Sequence, residues 1–375
     1  MKKIIVAACM AAVLLLTALA GCSSGSSSST AASDASSSTS APADNDKKVL
    51  TIAQGGDITT FDMQNHNNGV TGAVLCNFSH GLVERADEDN AWVCVLAKSY
   101  EMIDDSTWEF KLRDDVTWHN GDPFTAADVK YTYERAATDE SLAENHIFKV
   151  IKEVQIIDDY TVRFATDGPY PTLLSLLSKN GSQMMPSKYI EENGLDYYLE
   201  NPIGCGPYKF KEWVKDDVVV LERYDDYFGE TPYWDEVRFR SIPEASTRVA
   251  ELLTGNVDII VNVPTNEWDR INTEENTEMV LGNGTRIYNV IMKWNTSPTQ
   301  NKQVREAVAY AIDAQTIIDT VLKGAGTPCY TRIAPGVFGQ DKSLYNINKY
   351  DPDKAKELIA SSGYNGEEIG ALLLD

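Results

Sequence analysis

Four histidines and six cysteines hold most of the chemistry available to this 375-residue chain, and their spacing excludes much of it. His66, His80, His119 and His146 include no His-Glu-x-x-His pair, so no helix presents two imidazoles and a Glu to zinc. There is no Gly-x-Ser-x-Gly elbow set between a strand and a helix, no Walker-type phosphate loop and no Cys-x-x-Cys. Gly204-Cys205-Gly206 begins like a dinucleotide fingerprint, but Lys209 stands where the third glycine belongs. Trp118-His119-Asn120-Gly121 reads as a turn, in which a histidine serves as a structural hydrogen-bonder rather than a base. The pairs Asp104-Asp105 and Asp114-Asp115 fall at turn-like or strand-end positions, where solvation explains two acids better than proton transfer does. No catalytic residue, metal ligand or cofactor site emerges, and the expectation is a binding protein rather than an enzyme. A secreted hydrolase with an unfamiliar site is the competing reading.

One cysteine does carry a covalent signature. Lys2 and Lys3 precede an apolar run from Ile4 to Ala20, and Leu19-Ala20-Gly21-Cys22 follows the pattern of a bacterial lipobox. The expectation is a leader over residues 1–21, with Cys22 acylated as the new N-terminus. A run of about 17 apolar residues sits at the bottom of the membrane-spanning range. From Ser23 to Asp46 the chain is nearly all Ser, Ala, Thr, Gly and Asp, too polar to offset its ordering entropy. Residues 22–46 thus read as a flexible tether with a reach of roughly 25–30 Å. Two acyl chains, each adding about 0.8 kcal/mol per buried methylene, suffice for stable anchoring. The expected location is the outer face of the cell membrane, or its periplasmic side where an outer membrane exists. Net charge is −23, and losing Lys2 and Lys3 with the leader makes the chain more acidic. Such a surface repels nucleic acid and anionic headgroups, leaving the lipid as the only membrane contact. Cys76, Cys94, Cys205 and Cys329 show no metal-like spacing, and their pairing stays open.

The segments that would position a site are mixed. Val49 to Ala53, Thr107 to Arg113, Tyr160 to Phe164, Val237 to Phe239 and Val257 to Val263 read as strands. Thr125 and Asp128 form a capping-box pair, with Phe124 set to staple onto Val129. Pro243 opens a helix with Val249, Leu252 and Leu253 on one face and Gly255 at its end. Val304, Ala307, Val308, Ala311 and Ile312 line another helix, and Asp351-Pro352 begins a last one that closes at Gly363.

On these residues a resemblance can be stated. Thr107 to Arg135, TWEFKLRDDVTWHNGDPFTAADVKYTYER, resembles the signature of family 5 extracellular solute-binding proteins, the oligopeptide, dipeptide and nickel receptors of ABC importers. Similar blocks stand in family order around it, Leu96 to Tyr100 before and Pro202 to Phe210, Leu221 to Phe228, Val304 to Asp313, and Tyr350 to Lys356 after. Two departures stand out. Cys205 replaces the threonine usual between Gly204 and Gly206, a thiol for a hydroxyl, which weakens one hydrogen bond. Family members also run longer than 375 residues, and Ala371 to Asp375 resembles a strand in mid-course. The acidic residue that holds a peptide's amine in the family would lie past Asp375.

The resemblance implies an α/β fold, a two-lobed periplasmic-binding-protein-like (type II, three-segment) clamshell whose second lobe is incomplete. The first lobe's core would take residues 47–82 plus 201–285, an inserted domain 83–200, and the partial second lobe 286–375. Its strand would open at Ile287 to Asn295. In this family the loop after the first strand faces the cleft, here Asp62 to Gly72, so Asn65, His66, Asn67, Asn68, Gly69, Val70 and Thr71 become ligand-binding candidates. Amide-rich and small residues leave backbone groups open to an extended peptide. Trp294 and Asn295, at the entry to the second lobe, could touch the ligand from the other side. The function implied is a lipid-anchored monomer that captures peptides and delivers them to ABC permease subunits. A nickel chelate, an oligosaccharide or another small solute is the alternative ligand, and a peptide-sensing surface receptor without transport is the alternative role.

Overall fold

Alternation along Thr107–Leu112 sets the pattern for the whole molecule: Trp108, Phe110 and Leu112 turn inward while Thr107, Glu109 and Lys111 face outward. The computed structural model describes residues 47–85, 92–282, 284–337, 339–347 and 349–369. The leader, Cys22, the tether and the expected strand at 371–375 lie outside them. Eleven strands are present among the described residues. β1 is Val49–Gln54, β2 Val83–Arg85, β3 Trp92–Cys94, β4 Ala97–Asp104, β5 Thr107–Leu112, β6 Ile151–Asp158 and β7 Thr161–Thr166. β8 is Tyr208–Val214, β9 Val218–Arg223, β10 Glu236–Ser241 and β11 Ile259–Ile260.

They form two main sheets and a small hairpin, β2–β3. One sheet runs β11-β1-β10-β9-β8, with β1 parallel to both β10 and β11 and the rest antiparallel. The other is a fully antiparallel β4-β5-β7-β6. Each sheet has its own core. Trp108, Phe110, Val162 and Phe164 bury against the helix Ala126–Thr138, whose Val129, Thr132, Tyr133 and Ala136 repeat at i, i+3, i+4 and i+7. Burying a side chain such as Phe110 stabilises by about 1.5–3 kcal/mol. The second core gathers Phe61, Leu75, Phe78, Val219, Leu221 and Phe239 around the five-stranded sheet.

The capping box forms as expected: the Asp128 carboxylate accepts the Thr125 N–H at 2.9 Å, and Phe124 and Val129 join one core. Asp128 also accepts the Ser187 N–H at 2.8 Å and its hydroxyl at 2.6 Å.

Four elements differ from expectation. The strand expected from Val257 to Val263 narrows to Ile259–Ile260, because Asn262 takes the left-handed region at φ 55° and breaks the ladder. Ile312 does not extend its helix. It caps Lys302–Ala311 in an extended conformation, φ −92° and ψ 116°. Ile287 to Asn295 forms no strand: no neighbour among the described residues takes up its backbone groups, and Tyr288 is 82% exposed, Ile291 77% and Trp294 76%. The helix expected at Pro243 begins two residues later, as Ala245–Leu253 with Glu244 for a cap.

Candidate ligand-binding site

The loop that follows β1 is held from three sides. Arg135, near the end of the helix Ala126–Thr138, reaches back to Asp62: Nη1 donates to Oδ1 at 2.9 Å and Nη2 to Oδ2 at 2.6 Å. The same Nη1 donates to the Gln64 side-chain oxygen at 2.7 Å. Burial works against the Arg135 charge, but hydrogen bonding and attraction to Asp62 outweigh it and raise its pKa. From the second side, the Glu144 N–H donates to the Gln64 carbonyl at 3.2 Å and the Ala143 N–H to Asn65 Oδ1 at 3.4 Å. Glu144, itself buried, is ion-paired with Lys179. From the third, Gly72 lies so close to Asn180 that a Cβ would sit 2.7 Å from its amide nitrogen.

Within this grip the seven loop candidates divide by role. Asn68 caps the helix Gly69–Phe78, its side chain accepting the Thr71 N–H at 2.8 Å. Thr71 is buried, and its hydroxyl accepts the Thr59 N–H at 3.0 Å. Asn65, Asn67 and Gly69 are exposed and Val70 is half-buried, so these four present surface to solvent. His66 is only 4% exposed, and neither ring nitrogen finds a hydrogen-bond partner among the described residues. Burial lowers its pKa against the opposing pull of the Glu144 carboxylate. The Asn68 backbone pulls the same way without reaching hydrogen-bond geometry. Trp294 and Asn295 stand apart, exposed and joined to the loop by no hydrogen bond or ring contact among the described residues.

The glycine turn beside this loop is built by close approach. A Cβ on Gly204 would meet the Phe78 carbonyl oxygen at 2.1 Å, and one on Gly206 the Phe78 carbonyl carbon at 2.6 Å. His119 brackets the turn. Its Nδ1 accepts the Gly204 N–H and its Nε2 donates to the Gly206 carbonyl, both at 3.0 Å. That geometry fixes a neutral imidazole, and burial lowers its pKa to about 4. Cys205 between them lies 3.6 Å from the Ser79 hydroxyl, and burial pushes its thiol up to about 11. Cys76, Cys94, Cys205 and Cys329 are all free thiols.

Sequence inspection missed Arg135 and Glu144 as loop anchors. Arg135 did carry a signal, as the last residue of the signature block, on the helix that the capping box starts.

The loop is thus capped by Asn68 and held by two largely buried ion pairs, Arg135–Asp62 beneath it and Glu144–Lys179 beside it. The model of bacterial extracellular solute-binding proteins, family 5 (middle), matches residues 92–373. The chain belongs to that family. The glutathione-binding protein GsiB of Salmonella paratyphi A is 30% identical over 320 residues, covering 84% of this chain and 62% of that one. This family 5 chain therefore spans less than two thirds of that relative's length. Among solved structures, the ABC transporter-associated periplasmic binding protein DppA from Helicobacter pylori, in complex with the peptide STSA, superposes with a TM-score of 0.71. It is 25% identical, over 84% of this chain and 66% of its own. NikZ from Campylobacter jejuni, in complex with Ni(L-His), gives a TM-score of 0.68 at 26% identity, over 86% of this chain and 64% of its own. The fold is that of the two-lobed periplasmic binding proteins, with the second lobe represented in part. Among the described residues no helix is long and apolar enough to cross a membrane.

Proposed function

We propose that this protein captures a peptide or peptide-like solute outside the cytoplasm and delivers it to the permease of an ABC importer, working from a lipid anchor at Cys22. The observation that carries this reading is the likeness to DppA, solved with a bound peptide, over 84% of the chain at a TM-score of 0.71. The first lobe is taken as residues 47–82 plus 201–285 with 83–200 inserted, and the second lobe begins at 286. Asn65 to Thr71 would meet the ligand from the first lobe, and Trp294 and Asn295 from the second. A solute that touches both lobes only when they close shifts the population toward the closed form, which the permease can distinguish. The receptor acts as a monomer, and its acidic surface keeps it off nucleic acid and lipid headgroups.

Titration calorimetry on the full chain tests the ligand. STSA and reduced glutathione are expected to bind, with the N65A/N67A variant weakened. Binding of Ni(L-His) alone would favour the second reading, for which the likeness to NikZ speaks. Binding of none of the three would remove the solute-capture role for this chain. Anchoring is checked separately, by the release of a C22S variant into the medium.

A further inference from the structure

β10 and β11 both run parallel to β1, so the carboxyl ends of the three strands lie side by side. In open α/β sheets such ends border the crevice where ligands sit. All three meet on one side chain, Arg248. Its Nη1 donates to the Ile242 carbonyl at 2.7 Å and the Pro243 carbonyl at 2.9 Å, just past β10. Its Nη2 donates to the Asn262 carbonyl at 3.4 Å, just past β11. The guanidinium lies beneath Gly55, just past β1, where a Cβ would stand 3.4 Å from Nη1.

Arg248 is 5% exposed, yet it makes no ion pair with a described carboxylate. The acids nearest to it along the chain and at the strand ends are engaged elsewhere. Glu251 holds Arg240 at 2.8 Å, and Glu244 accepts the Ser246 hydroxyl at 3.2 Å. Asp258 accepts the Thr51 N–H at 2.8 Å, and Asp57 accepts the Trp213 indole N–H and the Asp216 N–H, each at 2.9 Å. Carbonyl dipoles solvate a buried cation without neutralising it, so its field reaches whatever lies over Gly55. There the N–H groups of Gly55 and Gly56 donate to no acceptor among the described residues, and Gly55 is exposed. A clasp on strand ends needs donors only. Free amides above an unneutralised cation make an anion position.

We infer that the Gly55–Gly56 backbone above Arg248 is a carboxylate subsite, in which an acid group of the captured solute takes the two free N–H groups. The inference rests on the solute-binding reading above. In a chain of net charge −23, an acidic ligand needs such a local positive centre.

The test uses the full chain labelled with nitrogen-15. Acetate is titrated while the Gly55 and Gly56 amide resonances are followed, with acetamide as the neutral control. A saturable shift is expected with acetate and none with acetamide. Affinity should fall by about tenfold in R248M, and by less in R248K, which keeps the charge. No saturation, an equal response to acetamide, or an unchanged acetate response in R248M overturns the subsite. If R248M does not fold, the acetate–acetamide contrast in wild type decides alone. STSA as free acid and as C-terminal amide then separates the two readings. Acid preference that R248M abolishes supports both, and equal affinity for acid and amide overturns the subsite. If neither peptide binds while acetate does, the peptide reading fails and the subsite stands.

Discussion

His119 works as a bracket, and its chemistry makes the bracket pH-dependent. The imidazole is neutral when it accepts the Gly204 N–H and donates to Gly206, and its pKa falls from 6.5 to about 4. Between those values the unfolded chain binds a proton that the folded chain refuses. The stability contribution is therefore complete above pH 6.5 and is lost as pH drops toward 4. Urea unfolding at pH 7.5 and 4.5 should show about 2.5 kcal/mol of this loss in wild type, and that share should vanish in H119Q. An equal slope in both proteins would remove His119 from the account. The glycines it brackets tolerate no side chain: with a Cβ 2.1 Å from the Phe78 carbonyl oxygen, G204A should lose more than about 3 kcal/mol, read from the urea midpoint. A midpoint close to wild type would refute the close approach. Sequence marked the Gly204-Cys205-Gly206 run and placed His119 in a structural turn. It could not show Phe78 as the wall, because a contact across 126 residues leaves no local pattern.

The helix start with the densest local signals came through as expected, and one strand that lacks a partner did not. Thr125, Asp128 and Phe124 specify a helix start within five residues, and the structure uses all three. Ile287 to Asn295 has strand composition, but a strand is made by its neighbour, and none pairs with it among the described residues. The loop Asp62 to Gly72 was visible as polar and amide-rich, while the ion pair that fixes it was not. That pair joins two elements: Arg135 and Asp62 are 12% and 4% exposed as side chains, so the bond tying helix to loop is largely dry. Removing one partner leaves the other charge buried, and R135M should cost about 3–5 kcal/mol. The double variant D62L/R135M should fall short of the summed single losses by about 1–3 kcal/mol, because the second substitution removes an already orphaned charge. Strict additivity in urea unfolding would mean that the two residues act independently.

Across the chain, stability is unevenly distributed. The three hydrophobic clusters all lie between Ala53 and Val257. Beyond them, Lys302–Ala311 and Pro352–Ser362 pack together, with Val304, Ala307 and Ala355 buried. Between these regions Val280, Leu281, Tyr288, Val290, Ile291 and Trp294 are exposed, a run of large apolar side chains with little to pack against. Local opening is easiest where buried contacts are few, so this segment should exchange and cleave before either packed region does. Chymotrypsin, which cuts after large apolar and aromatic residues, should cut the native chain first between Val280 and Trp294. The amino-terminal product should still unfold cooperatively, because β1, β10 and β11 and both large cores lie within it. First cleavage inside the four-stranded sheet, or a product without a cooperative transition, would show that the cores depend on the carboxyl-terminal helices. The same experiment with STSA present bears on binding: a solute that engages Trp294 and Asn295 together with the loop after β1 would protect this segment, whereas one held by the loop alone would leave the cleavage rate unchanged.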